Sequence, residues 1–113
     1  MVNGKLDVLG RKHTNVAQMS GSDFQVPTNR RRLNGPGVYI ISCQDRCWYV
    51  GKSQSSMSAR VHEHMKRKVR ISTLPKPEVM ITGVFSEEPS VDELFYIWAL
   101  RPILNRETKG LYT

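Results

Sequence analysis

The sequence is poor in cysteine and in long apolar stretches, and both shortages narrow the class of protein. Two cysteines, Cys43 and Cys47, stand among 113 residues, too few for the disulfide framework of a small secreted domain. No apolar run approaches the roughly 20 residues of a membrane-spanning helix. The N-terminus also lacks the long apolar segment of a secretory signal. We therefore expect free thiols, no membrane partner and a cytoplasmic location.

Acidic residues are also scarce relative to basic ones. Ten Asp and Glu residues stand against 17 Lys and Arg residues, which gives a net charge of +7. Such an excess favours a polyanionic partner, with nucleic acid as the first candidate and a membrane surface as the second. Judged by charge alone, a soluble protein whose basic surface binds no such partner is an equally good interpretation. The length is that of one domain with one modest core.

The first 34 residues show no sustained hydrophobic period and are rich in Asn, Gly, Ser and Gln. They close with three consecutive arginines, Arg30, Arg31 and Arg32. We interpret segment 1–34 as a basic, extended or loosely packed arm, and segment 35–113 as the folded domain. Such an arm either follows a DNA backbone or groove or is a solvated tail.

Three stretches of the domain have the composition of β-strands. Residues 37–43 and 47–52 are rich in β-branched and aromatic side chains, and the three residues between them suit a short hairpin loop. Residues 79–85 give a third strand. The order of strands and helices predicts a small α/β sandwich with a three-stranded, largely antiparallel sheet flanked by helices.

Two helices complete this order. Serines precede the first helix, which we predict from Met57 to Arg70, with apolar residues every fourth position as far as Val69. The second helix begins with a Ser90–Glu93 capping box. It ends near Arg101, because the residue before a proline is pushed away from helical geometry.

The apolar strands carry two short signatures, Gly37-Val38-Tyr39 and Tyr49-Val50-Gly51, with nine residues between the tyrosines. Lys52 follows at once, and the first helix then carries Arg60 and His64. Glu93 lies near the start of the second helix, and a Pro-x-Leu-Asn pattern ends at Asn105. In this ordered set, over residues 35 to 107, the chain resembles the GIY-YIG nuclease superfamily.

The resemblance implies an endonuclease that needs Mg²⁺ or Mn²⁺, hydrolyses DNA phosphodiester bonds and leaves a 5′-phosphate. It implies that Glu93 holds the metal and that one tyrosine activates water while the other holds the phosphate. We assign the first role to Tyr39. The resemblance covers phage or mobile-element, restriction and repair enzymes alike.

The side chains themselves suit these roles. A guanidinium such as that of Arg60 can bond two phosphate oxygens, and His64 on the same helical face can donate to a phosphate or aid proton transfer. Lys52 is a cation that would favour a phenolate. Asn105 is expected to orient the site by hydrogen bonds. The candidate catalytic residues are Tyr39, Tyr49, Lys52, Arg60, His64, Glu93 and Asn105.

A further set of basic residues is predicted to contact the DNA backbone: Arg30, Arg31, Arg32, Lys66, Arg67, Lys68 and Arg70. With one site per chain, a double-strand break requires a homodimer or two successive nicks. The main alternative is a DNA-binding module of the same fold that has lost catalysis. Without the resemblance, plainer readings suffice, since the tyrosines can be strand packing and Glu93 a helix cap.

Overall fold

Four antiparallel strands form the sheet at the centre of the fold. In the computed structural model, which describes residues 15–107, they are β1 (Val16–Ser20), β2 (Gly37–Cys43), β3 (Arg46–Ser53) and β4 (Val79–Phe85). Their order across the sheet is β1-β4-β2-β3. Every residue of β2 is buried, because this strand is central in the sheet and its apolar side chains are covered on both faces.

The α/β class is confirmed, but the prediction of three strands is wrong by one. The additional strand, β1, pairs with β4 along its whole length and lies within the segment predicted as an arm. Its alternation of buried Ala17 and Met19 with more exposed neighbours spans too few residues to stand out in a polar sequence. Phe24 and Leu33 are also buried in the core, so residues 15–34 pack onto the rest of the domain. Residues 1–14 and 108–113 of the predicted segments lie outside the described residues.

The helices flank the sheet. Two short helices, α1 (Gly21–Phe24) and α2 (Pro27–Arg30), follow β1. Between β3 and β4 come α3 (Met57–Arg67) and α4 (Val69–Ser72), and α5 (Pro89–Leu100) follows β4. Single 3₁₀ turns occupy 31–33, 76–78 and 104–107.

The helix predicted from Met57 to Arg70 is interrupted. Ser56 caps its start as expected, because its side chain accepts a hydrogen bond from the backbone N–H of Ala59. The apolar residues at four-residue spacing, Met57, Val61 and Met65, are buried. Lys68, however, has extended geometry with ψ 108° and separates α3 from α4. The prediction that Val69 is a core residue is therefore wrong, since Val69 is 72% exposed and Ile71 is buried instead.

The last helix begins differently from the prediction and ends as predicted. The N-cap is Glu88, which makes no side-chain capping bond, and Pro89 supplies the preset φ of the first turn. Ser90 is thus inside the helix, and the predicted Ser90–Glu93 capping box is wrong. At the other end, Arg101 adopts left-handed geometry with φ 50°, and the helix stops at Leu100 before Pro102.

The sheet separates two apolar clusters. On one face, α3 and α4 cover the cluster that contains Tyr39, Ile41 and Ile81. On the other face, α5 covers a smaller cluster that contains Ile40, Val50 and further residues of β2, β4 and α5. No helix among residues 15–107 has the length and apolar character to cross a bilayer. Both cysteines are free thiols.

The hairpin between β2 and β3 is tighter than predicted and contains a bulge. Its loop has two residues, Gln44 and Asp45, both with positive φ, which is the type I′ geometry that matches strand twist. The register then shifts, because Ile41 pairs with Tyr49 while the next residue, Ser42, pairs with Cys47. Trp48 is therefore the extra, unpaired residue of β3.

Candidate active site

The bulge decides which face of the sheet Tyr49 occupies. Cys47 and Val50 pack in the cluster under α5, whereas Trp48 and Tyr49 both pack against the cluster under α3. Consecutive residues of a regular strand point to opposite faces, so the extra residue is what brings Tyr49 to the same face as Tyr39. The two signatures of the sequence meet on one face because β3 is irregular.

Tyr39, Tyr49 and His64 form one aromatic cluster on that face. Tyr39 lies opposite Gly51 in the hairpin, so the two tyrosines are diagonal neighbours, with ring centroids 6.2 Å apart. His64 projects from α3 onto both rings and meets Tyr49 edge to face at 4.8 Å. The Tyr39 hydroxyl lies 3.1 Å from Nδ1 of His64. Strand and helix therefore hold a phenol and an imidazole in hydrogen-bond contact.

Gly51 provides the space that the Tyr39 ring occupies. A Cβ at this position would lie 2.4 Å from both Cζ and the hydroxyl oxygen of Tyr39, far closer than two such atoms can approach. The ring thus lies directly against the backbone of β3. The glycine of the second signature has a steric role in positioning the tyrosine of the first.

Arg60 adds a cation to this cluster. Burial is the largest effect and raises the pKa of Tyr39 well above its usual value, whereas the nearby guanidinium of Arg60 acts in the opposite direction by favouring the phenolate. Burial likewise raises the pKa of Tyr49. Both tyrosines are therefore neutral phenols at neutral pH in the protein alone.

His64 is neutral as well. Burial, followed by the charges of Arg60 and Lys68, lowers the pKa of His64 to about 4. In the tautomer that carries its proton on Nε2, the imidazole accepts the Tyr39 O–H bond at Nδ1. This pairing leaves the imidazole able to receive a proton.

Glu93 brings a carboxylate near the tyrosines from the first turns of α5. It is half-buried, and burial raises its pKa, while the charges of Lys52 and Arg60 act in the opposite direction. Its negative charge in turn contributes to the raised pKa of both Tyr39 and Tyr49. Within residues 15–107 the carboxylate accepts no hydrogen bond and makes no ion pair within 4.0 Å.

Lys52 is held close to Glu93 without pairing to it. Its Nζ donates to the hydroxyl of Ser90 at 2.8 Å, and Gln54 donates to the same oxygen at 3.3 Å. The serine of the predicted capping box thus joins β3 to the start of α5. Sequence reasoning missed this role, because nothing in the sequence signals which strand residue meets Ser90.

Asn105 lies apart from the ionisable groups, on the outer edge of β3. Its side-chain carbonyl accepts from the Val50 N–H at 2.8 Å, and its amide donates to the Val50 carbonyl at 2.9 Å. The buried side chain satisfies both backbone groups of one strand residue, as a neighbouring strand would. The expected orienting role fits this position between the two residues Tyr49 and Gly51.

The basic residues predicted to contact DNA fall into three groups by their surroundings. The guanidinium of Arg30 donates hydrogen bonds to the backbone carbonyls of Phe24 and Gln25, at 3.1 and 2.8 Å. Arg31 and Arg32 beside it are exposed, as are Lys66 and Arg67 on α3. Lys68 and Arg70 lie over aromatic rings of β3.

The structure thus brings six of the seven candidate catalytic residues around one point and places Asn105 behind it. No group of three or more His, Cys, Asp or Glu suited to a metal occurs among residues 15–107. Comparison with protein-family models gives no match, and comparisons with curated proteins and with solved structures give no significant match.

Proposed function

We propose that this protein is a metal-dependent DNA endonuclease of the GIY-YIG type. The observation that supports the proposal most is the shared site of Tyr39, Tyr49 and His64, with Arg60 and Glu93 beside it. Phosphodiester hydrolysis needs an activated water and stabilisation of the developing charge on the phosphate. Tyr39 and His64 are suited to activating the water, and Arg60 and a cation held by Glu93 are suited to stabilising the charge.

The Glu93 carboxylate fits a divalent cation. It is half-buried and accepts no hydrogen bond from residues 15–107, so a hard cation such as Mg²⁺ or Mn²⁺ would satisfy an oxygen that the fold leaves without a donor. Glu93 would then be the one protein carboxylate on the ion, and the remaining positions would be left to waters and substrate phosphate oxygens. When bound, it supplies charge stabilisation at the phosphate and at the leaving oxygen.

The protein's own residues account for the proton transfer. Tyr39 is too poor a base alone, because burial favours its neutral form. As its hydroxyl oxygen takes a proton from the attacking water, its own proton passes to Nδ1 of His64, 3.1 Å away. The negative charge of a bound phosphodiester, opposite Arg60, raises the pKa of His64 above its value in the free protein. Substrate binding thus makes His64 a better proton acceptor than it is in the free protein.

Arg60 and Tyr49 hold the phosphate in this proposal. The guanidinium stabilises the two non-bridging oxygens, and the Tyr49 hydroxyl donates to one of them. Lys52, fixed by Ser90, contributes positive charge without neutralising Glu93. A double-strand break follows from two chains acting together or from two successive nicks.

Cleavage of supercoiled plasmid, with Mg²⁺ or with EDTA, tests the proposal. We expect nicking or linearisation that needs Mg²⁺, is lost in Glu93→Gln and is retained in Glu87→Gln, an equal loss of charge at an exposed turn residue. Equal cleavage by Glu93→Gln would contradict the proposal. DNA binding without cleavage by all three proteins would instead identify a binding module that lacks catalysis.

A further inference from the structure

Two aromatic side chains lie next to each other on β3 because of the bulge. Trp48 is the unpaired residue of the register shift, and it shares a face with Tyr49, where a regular strand would alternate them. Both rings are partly exposed. Tyr49 belongs to the proposed active site, so Trp48 extends that site along the edge strand.

A second irregularity places a cation over each ring. The break at Lys68 separates α3 from α4, and the chain there brings Nζ of Lys68 to 5.2 Å from the Tyr49 ring centre. Two residues later, Cζ of Arg70 lies 5.7 Å from the Trp48 ring centre. In a continuous helix, Lys68 and Arg70 would point in different directions. The break aligns them with two successive rings.

These two rings and two cations are the kinds of side chain that bind a nucleotide. Aromatic rings and guanidinium planes stack unpaired bases, and neighbouring cations take the phosphates. Val69, between the two cations, is 72% exposed and offers an apolar contact of the kind that separates stacked bases. A base inside a duplex keeps both faces stacked on its neighbours and has no free face to offer.

We propose that Trp48, Tyr49, Lys68 and Arg70 form a subsite for an unpaired nucleotide next to the scissile phosphate. The subsite would direct the protein to DNA with a single-stranded flap or overhang. This inference rests on the proposed nuclease function for its position beside a scissile bond. The selective binding it predicts can be measured without cleavage.

Binding in EDTA separates the subsite from catalysis. The chain has two tryptophans, so the Trp98→Phe background makes Trp48 the only tryptophan reporter. A blunt duplex and the same duplex with a short thymidine flap are the two probes. We expect the flap to quench Trp48 fluorescence and the blunt duplex to leave it nearly unchanged.

Variants measured by fluorescence anisotropy test the residues. Arg70→Ala and Trp48→Leu should weaken flap binding about ten-fold, the loss of one stacked base, with much less effect on the blunt duplex. Lys66→Ala, an exposed cation on α3, is the matched control and should weaken both probes equally. Because Arg70 is exposed, its variant remains informative if Trp48→Leu unfolds.

Each outcome is decisive. Equal losses for flap and blunt duplex in Arg70→Ala, or no quenching by the flap, would overturn the subsite even if plasmid is cleaved. Flap-selective binding without cleavage of the same flap DNA in Mg²⁺ would keep the subsite and overturn the nuclease. Failure to bind either probe would overturn both.

Discussion

The side-chain amide of Asn105 bonds both backbone groups of Val50, at 2.8 and 2.9 Å. Val50 stands between Tyr49 and Gly51 on an edge strand, so one buried side chain fixes the segment that positions two parts of the site. The C-terminal turn thereby closes an edge that would otherwise present unpaired groups.

Replacing Asn105 with Leu should destabilise the fold. The change keeps a similar volume but leaves the N–H and C=O of Val50 without their partners, which costs about 2 kcal/mol or more. Urea unfolding measures the free energy. Gln44→Ala is the control, because its bond to Glu78 is exposed and its loss should change stability little. Equal stability of wild type and Asn105→Leu would show that Asn105 does not hold the edge.

Tyr39→Phe should separate catalysis from folding. The ring remains packed against Gly51, and only the hydroxyl that contacts His64 is lost. Removal of a proton-transfer group typically costs about 100-fold or more in rate, so single-turnover cleavage should fall by that factor with DNA affinity nearly unchanged. If Tyr49→Phe shows this pattern and Tyr39→Phe cleaves normally, the roles of the two tyrosines are reversed.

The lowered pKa of His64 predicts how stability depends on pH. The pKa is about 4 in the folded protein against 6.5 for an unperturbed histidine, so between these pH values the unfolded chain binds more protons than the folded one. Stability therefore falls as pH drops through this window. Urea midpoints from pH 7 to pH 5 measure the fall.

The fall should be smaller in His64→Gln than in the wild type. His62→Gln is the comparison on the same helix: burial also lowers the pKa of this imidazole, though less than that of His64, so its removal should reduce the pH dependence by a smaller amount. An unchanged pH dependence in His64→Gln would show that this imidazole is not held neutral by the fold.

Gly51→Ala should disrupt the site through Tyr39. The added Cβ would lie within 2.4 Å of the tyrosine ring, so either the ring moves out or β3 separates from β2, and cleavage is lost with a lower unfolding free energy. Adding Tyr39→Leu, which removes the ring, should recover stability but not cleavage. No recovery in the double variant would indicate that the glycine is needed for a reason other than this contact.

Local patterns predicted the parts of the fold that depend on few long-range contacts. The spacing of Met57, Val61 and Met65 identified the core face of α3, because residues four apart share a helix face. The end of α5 followed from the proline at 102. β1 was not predicted, since a short strand with polar neighbours becomes visible only through its pairing with β4.

The sequence was enough to predict which residues belong to the candidate site, but not how their side chains are placed relative to one another. The pairing of two signatures on one hairpin was expected, yet the bulge that turns Tyr49 to the face of Tyr39 has no local signal. The contacts of Lys52 with Ser90, and of Arg70 with Trp48, join residues far apart in the chain. Such contacts depend on how strands and helices pack, which single-sequence patterns do not encode.

Single-turnover cleavage of an end-labelled DNA substrate, by wild type and by Glu93→Gln at saturating protein, tests the central claim most directly. The account predicts Mg²⁺-dependent cleavage by the wild type with 5′-phosphate products, and a rate at least about 100-fold lower in Glu93→Gln at similar DNA affinity. Cleavage by both proteins at the same rate, or by neither despite tight binding, would contradict it.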